Sequence, residues 1–171
     1  DWVEHMTRFG IIGTGSRGLN ALGRNLRERF GDRSEIVALS DSDPTRLAFA
    51  AKTLGVENTH SNTSALIEDS KVEVVVITTP DFTHADIALE AISADKHVIC
   101  EKPLATTIED CNKVLAAGRG SDRLFMVGFV LRYTQLFAEL HKAVSSGEIG
   151  TPSFLTAIDN RVGGSYFRRW H

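Results

Sequence analysis

Two short stretches hold the residue types and spacings from which chemistry would come. The first is Gly13-Thr14-Gly15-Ser16-Arg17-Gly18, which follows the apolar run 9–12 and leads into a helical pattern. Gly-x-Gly-x-x-Gly between a strand and a helix suits the pyrophosphate of a dinucleotide. In such a turn Gly13 permits the tight bend, Gly15 leaves the backbone open to the phosphates, and Gly18 lets the helix pack closely on the sheet. Ser16 and Arg17 stand at the helix start, where unpaired N–H groups attract an anion. An acid about 20 residues further on would accept the ribose hydroxyls. Asp41, at the end of the strand-like run 35–40, is that acid. Its carboxylate repels a 2′-phosphate, so NAD is the expected cofactor. Arg46, able to reach such a phosphate, leaves NADP open as the alternative. Asp41-Ser42-Asp43-Pro44 is also ordinary turn chemistry, with Pro44 suited to a first helical position.

The second stretch is Glu101-Lys102-Pro103, directly after another strand-like run. Open α/β sheets bind ligands outside the carboxyl ends of their strands, so Lys102 stands where cofactor and substrate would meet. A lysine held beside a nicotinamide and away from bulk water can exchange a proton with a substrate hydroxyl. Pro103 would fix the backbone there, a cis bond being one way. Taken alone, Lys102 reads first as a surface lysine leaving a strand.

The elements that must position these residues alternate. Strands are expected at 8–12, 35–40, 72–77, 97–100 and 124–130, and helices at 16–30, 44–54, 64–69, 81–94 and 134–145. The β-branched run Val72 to Ile77 suits a strand buried on both faces of a parallel sheet. In the helix at 81–94, Ile87, Ala88, Ala91 and Ile92 share a face. Thr106-Thr107-Ile108-Glu109 has the form of a capping box, and Ile108, Cys111 and Leu115 form the expected stripe of the following helix. Leu136, Phe137, Leu140 and Val144 do so for 134–145. After the turn-rich 147–152, a further strand is expected at 154–162. Repeated βα units point to a doubly wound parallel sheet.

Composition narrows the class. The 171 residues are enough for a domain with its own core, and the net charge of −3 gives no reason to expect nucleic-acid binding. No apolar run reaches membrane-spanning length and no secretory signal is visible, so a cytoplasmic protein without membrane contact is expected. Cys100 and Cys111 are expected as buried free thiols. No histidine pair has metal-ligand spacing, so no metal is expected. His97 is expected to be structural, and His60 and His141 to be solvated. Met6 would be a natural initiator, and the five residues before it are left out of the fold reasoning.

Together with the glycine turn and Asp41, Thr78-Thr79-Pro80-Asp81-Phe82-Thr83-His84 and the run 96–104 resemble the glucose–fructose oxidoreductase / inositol dehydrogenase family in order and spacing, from about Thr7 to His171. The resemblance implies an N-terminal Rossmann domain and a C-terminal α/β domain with a large open sheet. It implies that Thr78, Thr79 and Pro80 lie along the cofactor, with His84 near its nicotinamide half. Glu101 and Lys102 would meet the nicotinamide ribose, Lys102 would also reach the substrate, and Arg132 and Tyr133 would border the site. Asp81 departs from the family's Asn-like residue. The family's second catalytic pair, an Asp and a His on a later helix, is expected beyond His171.

The sequence therefore predicts an α/β Rossmann domain over 7–150 and the beginning of a second α/β domain over 151–171. The expected activity of the whole protein, a homo-oligomer, is NAD(P)-dependent hydride transfer to or from a sugar, polyol or related hydroxy compound. The chain by itself is expected to bind nucleotide without turnover. Two rivals are a glycoside-cleaving enzyme that oxidises its sugar transiently and a non-catalytic nucleotide-binding module.

Overall fold

Short β-branched runs separated by amphipathic helices form β–α units, and the computed structural model, which describes residues 5–158, bears this out. Strands β1 (Thr7–Ile12), β2 (Ser34–Ser40), β3 (Thr59–His60), β4 (Val74–Ile77), β5 (His97–Cys100) and β6 (Phe125–Val127) form one sheet in the order β3-β2-β1-β4-β5-β6. Every pairing is parallel. Parallel neighbours need crossovers, which the helices supply. These are α1 in two segments (Arg17–Gly23 and Arg24–Phe30), α2 (Pro44–Leu54), α3 (Thr63–Ile67), α4 (His84–Ser93) and α5 (Ile108–Arg119). The order reverses between β1 and β4. A crevice forms at such a switch point, outside the carboxyl ends of the strands.

The central strands are buried on both faces. Ile11, Leu39 and Val76 pack with Leu19, Leu47, Ala50 and Leu54 of α1 and α2. Ile12, Val75, Ile77 and Val98 pack with Leu66, Ala88, Ala91 and Val114 of α3, α4 and α5. Each fully buried aliphatic side chain contributes about 1.5–3 kcal/mol, so these two layers hold the strand ends, and the residues beyond them, in place.

Local signals set the helix ends. The Asp43 carboxylate accepts from Thr45 and Arg46 N–H ahead of α2, Pro44 is its first residue, and Gly55 closes it at φ 67°. The first segment of α1 is wound more widely than an α-helix, and Arg24 N–H donates five residues back to Leu19 O. Thr107 caps α5 by accepting from Asp110 N–H, so the capping pair is Thr107 and Asp110, one residue later than Thr106 and Glu109. The expected stripe is corrected accordingly. Val114 is fully buried, whereas Ile108 is 76% exposed and Leu115 44%. Both thiols are free, Cys100 buried and Cys111 half-buried. Burial pushes the Cys100 thiol up to about 12. His60 is not on a solvated loop. It lies in β3 with Nε2 3.6 Å from Asp69 Oδ2.

The chain divides into two compact units, one ending at Phe129 and one starting at Val130, whereas the expected domain boundary lies at 150. The second unit contains a short 3-10 turn, Val130–Tyr133, and helix α6 (Gln135–Ser145), whose Leu136, Phe137, Leu140 and Val144 are exposed. Residues 154–158 form no strand, and the remainder of the strand expected at 154–162 lies outside the described residues. No helix among the described residues is long and apolar enough to cross a membrane.

Candidate functional site

The β1–α1 turn has the shape its glycines predict. Gly13 sits at φ 88°, where a side chain would be strained, and its N–H donates to Ser40 O at 2.8 Å. The Thr78 hydroxyl donates to Gly13 O, tying the end of β4 to the turn. At Gly18 a Cβ would stand 2.1 Å from Gly13 O and 2.6 Å from Thr78 Oγ1, so α1 rests directly on the turn. At Gly15 nothing lies within 4 Å of where a Cβ would be. The turn is closed where it touches the sheet and open where a pyrophosphate would approach, so these residues fit a dinucleotide. Ser16 directly precedes α1 and makes no side-chain cap bond.

Asp41 lies at the end of β2, 8% exposed, with its carboxylate saturated by donors. Oδ2 accepts from Thr14 N–H at 2.7 Å, the Thr14 hydroxyl at 2.9 Å and Arg46 Nε at 2.9 Å. Oδ1 accepts from Asp43 N–H at 2.9 Å and Arg46 Nη2 at 3.0 Å. Burial opposes ionisation, but the Arg46 guanidinium and the N–H groups of Asp43 and Thr14 outweigh it and hold the carboxyl below its ordinary value. Arg46 and Asp41 are thus one ion pair. Thr14, 2% exposed, escaped the sequence reading. It occupies an unconstrained position of the glycine motif, and its partner is 27 residues away.

The ends of β4 and β5 complete the same rim. Thr79 Oγ1 accepts from the Thr83 hydroxyl at 2.7 Å, and Pro80 precedes the 3-10 turn Asp81–Thr83. His84 is buried, with Nδ1 2.7 Å from Pro103 O and Nε2 3.0 Å from Thr79 O. Its ring joins the two loops from inside. Glu101 is 8% exposed, and its carboxylate accepts from Arg17 Nε at 2.6 Å and from Lys102 N–H at 3.2 Å. Lys102 is exposed, and the Lys102–Pro103 bond is cis.

The fold thus gathers Gly13, Gly15, Ser16, Arg17, Gly18, Asp41, Arg46, Thr78, Thr79, Pro80, Glu101 and Lys102 at the carboxyl ends of β1, β2, β4 and β5. Arg132 belongs to the second unit. A depression of about 530 Å³ lies at the opposite, amino end of the sheet, lined by His5, Glu73, Asp95, Lys96, His97 and Arg123. Its charges are largely paired among themselves. Glu73 meets His5 and Arg8, and Arg123 meets Asp95. The Lys96 ammonium donates to Asp69 O and Val72 O.

Comparison with known proteins agrees with this geometry. Residues 7–129 match the GFO_IDH_MocA sequence family, described as an oxidoreductase family with an NAD-binding Rossmann fold. Inositol 2-dehydrogenase 3 of Saccharopolyspora erythraea is 42% identical over 147 residues, 85% of this chain and 42% of that protein. Inositol 2-dehydrogenase of Salmonella typhimurium is 38% identical over 147 residues, 85% of this chain and 43% of that protein. Among solved structures, myo-inositol dehydrogenase from Lactobacillus casei in complex with NAD(H) and myo-inositol superposes with a TM-score of 0.78 at 27% identity, over 86% of this chain and 43% of that one. The chain spans less than half the length of these relatives.

Proposed function

Because the chain belongs to the GFO/IDH/MocA oxidoreductase family and carries its NAD-binding Rossmann fold, we propose that the whole protein is an NAD-dependent dehydrogenase of a polyol of the inositol kind. One observation supports this most directly. The open face of Gly15, the Asp41 carboxylate and Lys102 all follow carboxyl ends of strands about one switch point. A nicotinamide bound there would supply hydride exchange with a carbinol carbon. The chain's own residues do the rest. Turn N–H groups of 15–18 hold the diphosphate. Asp41, kept ionised and oriented by Thr14, accepts the adenosine ribose hydroxyls in place of the Arg46 guanidinium, which gives up its two bonds to that carboxylate. Lys102, exposed on the rim, moves the proton of the substrate hydroxyl. The names of the relatives favour an inositol over other polyols.

Steady-state kinetics of the whole protein with NAD and myo-inositol test the reading. Lys102→Ala is expected to lower kcat by roughly 10²–10⁴, the scale for losing a positioned acid–base group. Lys102→Arg should fail almost as badly, because a guanidinium does not release its proton near neutral pH. NAD affinity should change much less. A near-normal kcat in Lys102→Ala would return Lys102 to an ordinary surface lysine.

A further inference from the structure

Arg17 and Glu101 are separated by 84 positions in sequence and by one strand in the sheet. Arg17 opens α1 just after β1, Glu101 directly follows β5, and β4 lies between those strands. The Arg17 side chain therefore reaches past the carboxyl end of β4, where Thr78 and Thr79 stand, to place Nε 2.6 Å from Glu101 Oε1. A pair joining the loop after β1 to the loop after β5 spans the switch point between β1 and β4. The two ends of the pair differ in freedom. The Arg17 side chain is 43% exposed and the Glu101 side chain 10%. Arg17 is the end able to swing, while Glu101 stays.

We propose that the Arg17–Glu101 pair is a latch across the nicotinamide half of the groove, opened by exchange of partners when a dinucleotide enters. The exchange balances chemically. A diphosphate brings acceptors, which take the Arg17 guanidinium. The second ribose brings hydroxyl donors, which replace that guanidinium on the Glu101 carboxylate. Without such a donor, the carboxylate of Glu101 would keep, among the described residues, the long bond from Lys102 N–H at 3.2 Å. A ligand that lacks the second ribose, such as AMP, cannot complete the exchange and leaves the latch shut. ADP-ribose opens it without a nicotinamide. The site thus distinguishes whole dinucleotides from the mononucleotides that share their adenosine half. This inference rests on the dinucleotide reading of the crevice.

Two measurements on the intact chain test it. The first follows the Arg17 Nε–H signal by nuclear magnetic resonance, assigned through its loss in Arg17→Met. Saturation with AMP should leave the signal in place, and ADP-ribose or NADH should move it. The second is calorimetric titration with AMP and ADP-ribose of wild type, Arg17→Met, Glu101→Gln and the double variant. In wild type, Arg17→Met removes both a diphosphate contact and a pair that binding must break. In the Glu101→Gln background it removes only the contact. Arg17→Met should therefore weaken ADP-ribose binding about threefold or more further in that background, the scale of a partly exposed ion pair. AMP affinity should stay within about twofold throughout, since no latch energy of that scale enters its binding. Equal effects of Arg17→Met in both backgrounds, or a signal that moves as much with AMP as with ADP-ribose, would overturn the latch. Failure of every nucleotide to bind would overturn the dinucleotide reading itself, and the latch with it.

Discussion

Adding a side chain at Gly15 and at Gly18 should have opposite consequences. Gly18→Ala places a methyl group 2.1 Å from a backbone oxygen of the turn. We expect it to destabilise the fold by about 1–3 kcal/mol or more, the usual cost of overpacking. At Gly15 a Cβ meets nothing within 4 Å, so Gly15→Val should change the denaturation midpoint little. It should instead lower NADH affinity about tenfold or more, or at least 1.4 kcal/mol, by filling the space for the diphosphate. Paired urea melts and NADH titrations separate the two, and a stable Gly18→Ala with the fold intact would count against the close turn. At this scale the sequence was legible where a residue type is demanded by backbone geometry, as at Gly13 and Gly18. It was not legible where a role depends on long-range partners. Thr14 orients Asp41 from 27 positions away, and Arg17 meets Glu101 from 84. Neither pairing leaves a local signal in the chain. His84, expected near the nicotinamide half, has its ring between the carbonyls of Thr79 and Pro103, two partners that its position in sequence does not show.

Elements follow the same rule. Helices with strong caps, such as α2 between Asp43 and Gly55, and strands with continuous β-branched runs, such as β4, were readable. The two residues of β3 are too few to show a period. In α5 the buried position is Val114 rather than Leu115, one residue earlier and so about 100° round the helix. That correction has a measurable form. Val114→Ala should cost about 1.5–3 kcal/mol, and Ile108→Ala about 0.5 kcal/mol or less. Equal costs would restore the original stripe. Glu73 provides a second test, just ahead of β4. Burial opposes its ionisation, yet the backbone and side chain of Arg8, together with His5, bring its carboxyl down to about 2. A folded value below the unfolded one, near 4.5, means that the stabilisation is fully present above that pH. It is lost as pH falls from there toward about 2. The stability gap between wild type and Glu73→Gln should therefore be widest at neutral pH and close across that window in thermal melts. A gap that persists at pH 2 would assign the effect to packing instead.

For the whole molecule, the doubly wound parallel sheet followed from the alternation of patterns, because parallel neighbours leave few topologies open, while the strand order itself comes from the structure. The expected boundary at 150 follows the turn-rich 147–152, whereas the compact units meet at 129–130. A ligand seated on strand ends from four parts of the sheet should stabilise the whole first unit. NADH at about 100 times its Kd should add about 2.7 kcal/mol, or about 5–10 °C in Tm for a domain of this size. NADPH at the same concentration should protect less, because the Asp41 carboxylate faces its extra phosphate. Equal protection would mean that Arg46 leaves Asp41 for that phosphate. The sheet also has an amino end, where Glu73 pairs with His5 and Arg8 and the Lys96 ammonium donates to two backbone carbonyls. β1 runs about 20 Å from that end to the glycine turn. A dye or surface tether attached beside His5 would therefore stand a full strand length from the nucleotide crevice. Immobilised that way, the chain would present its ligand-binding rim outward to solution, the orientation an NADH sensor needs.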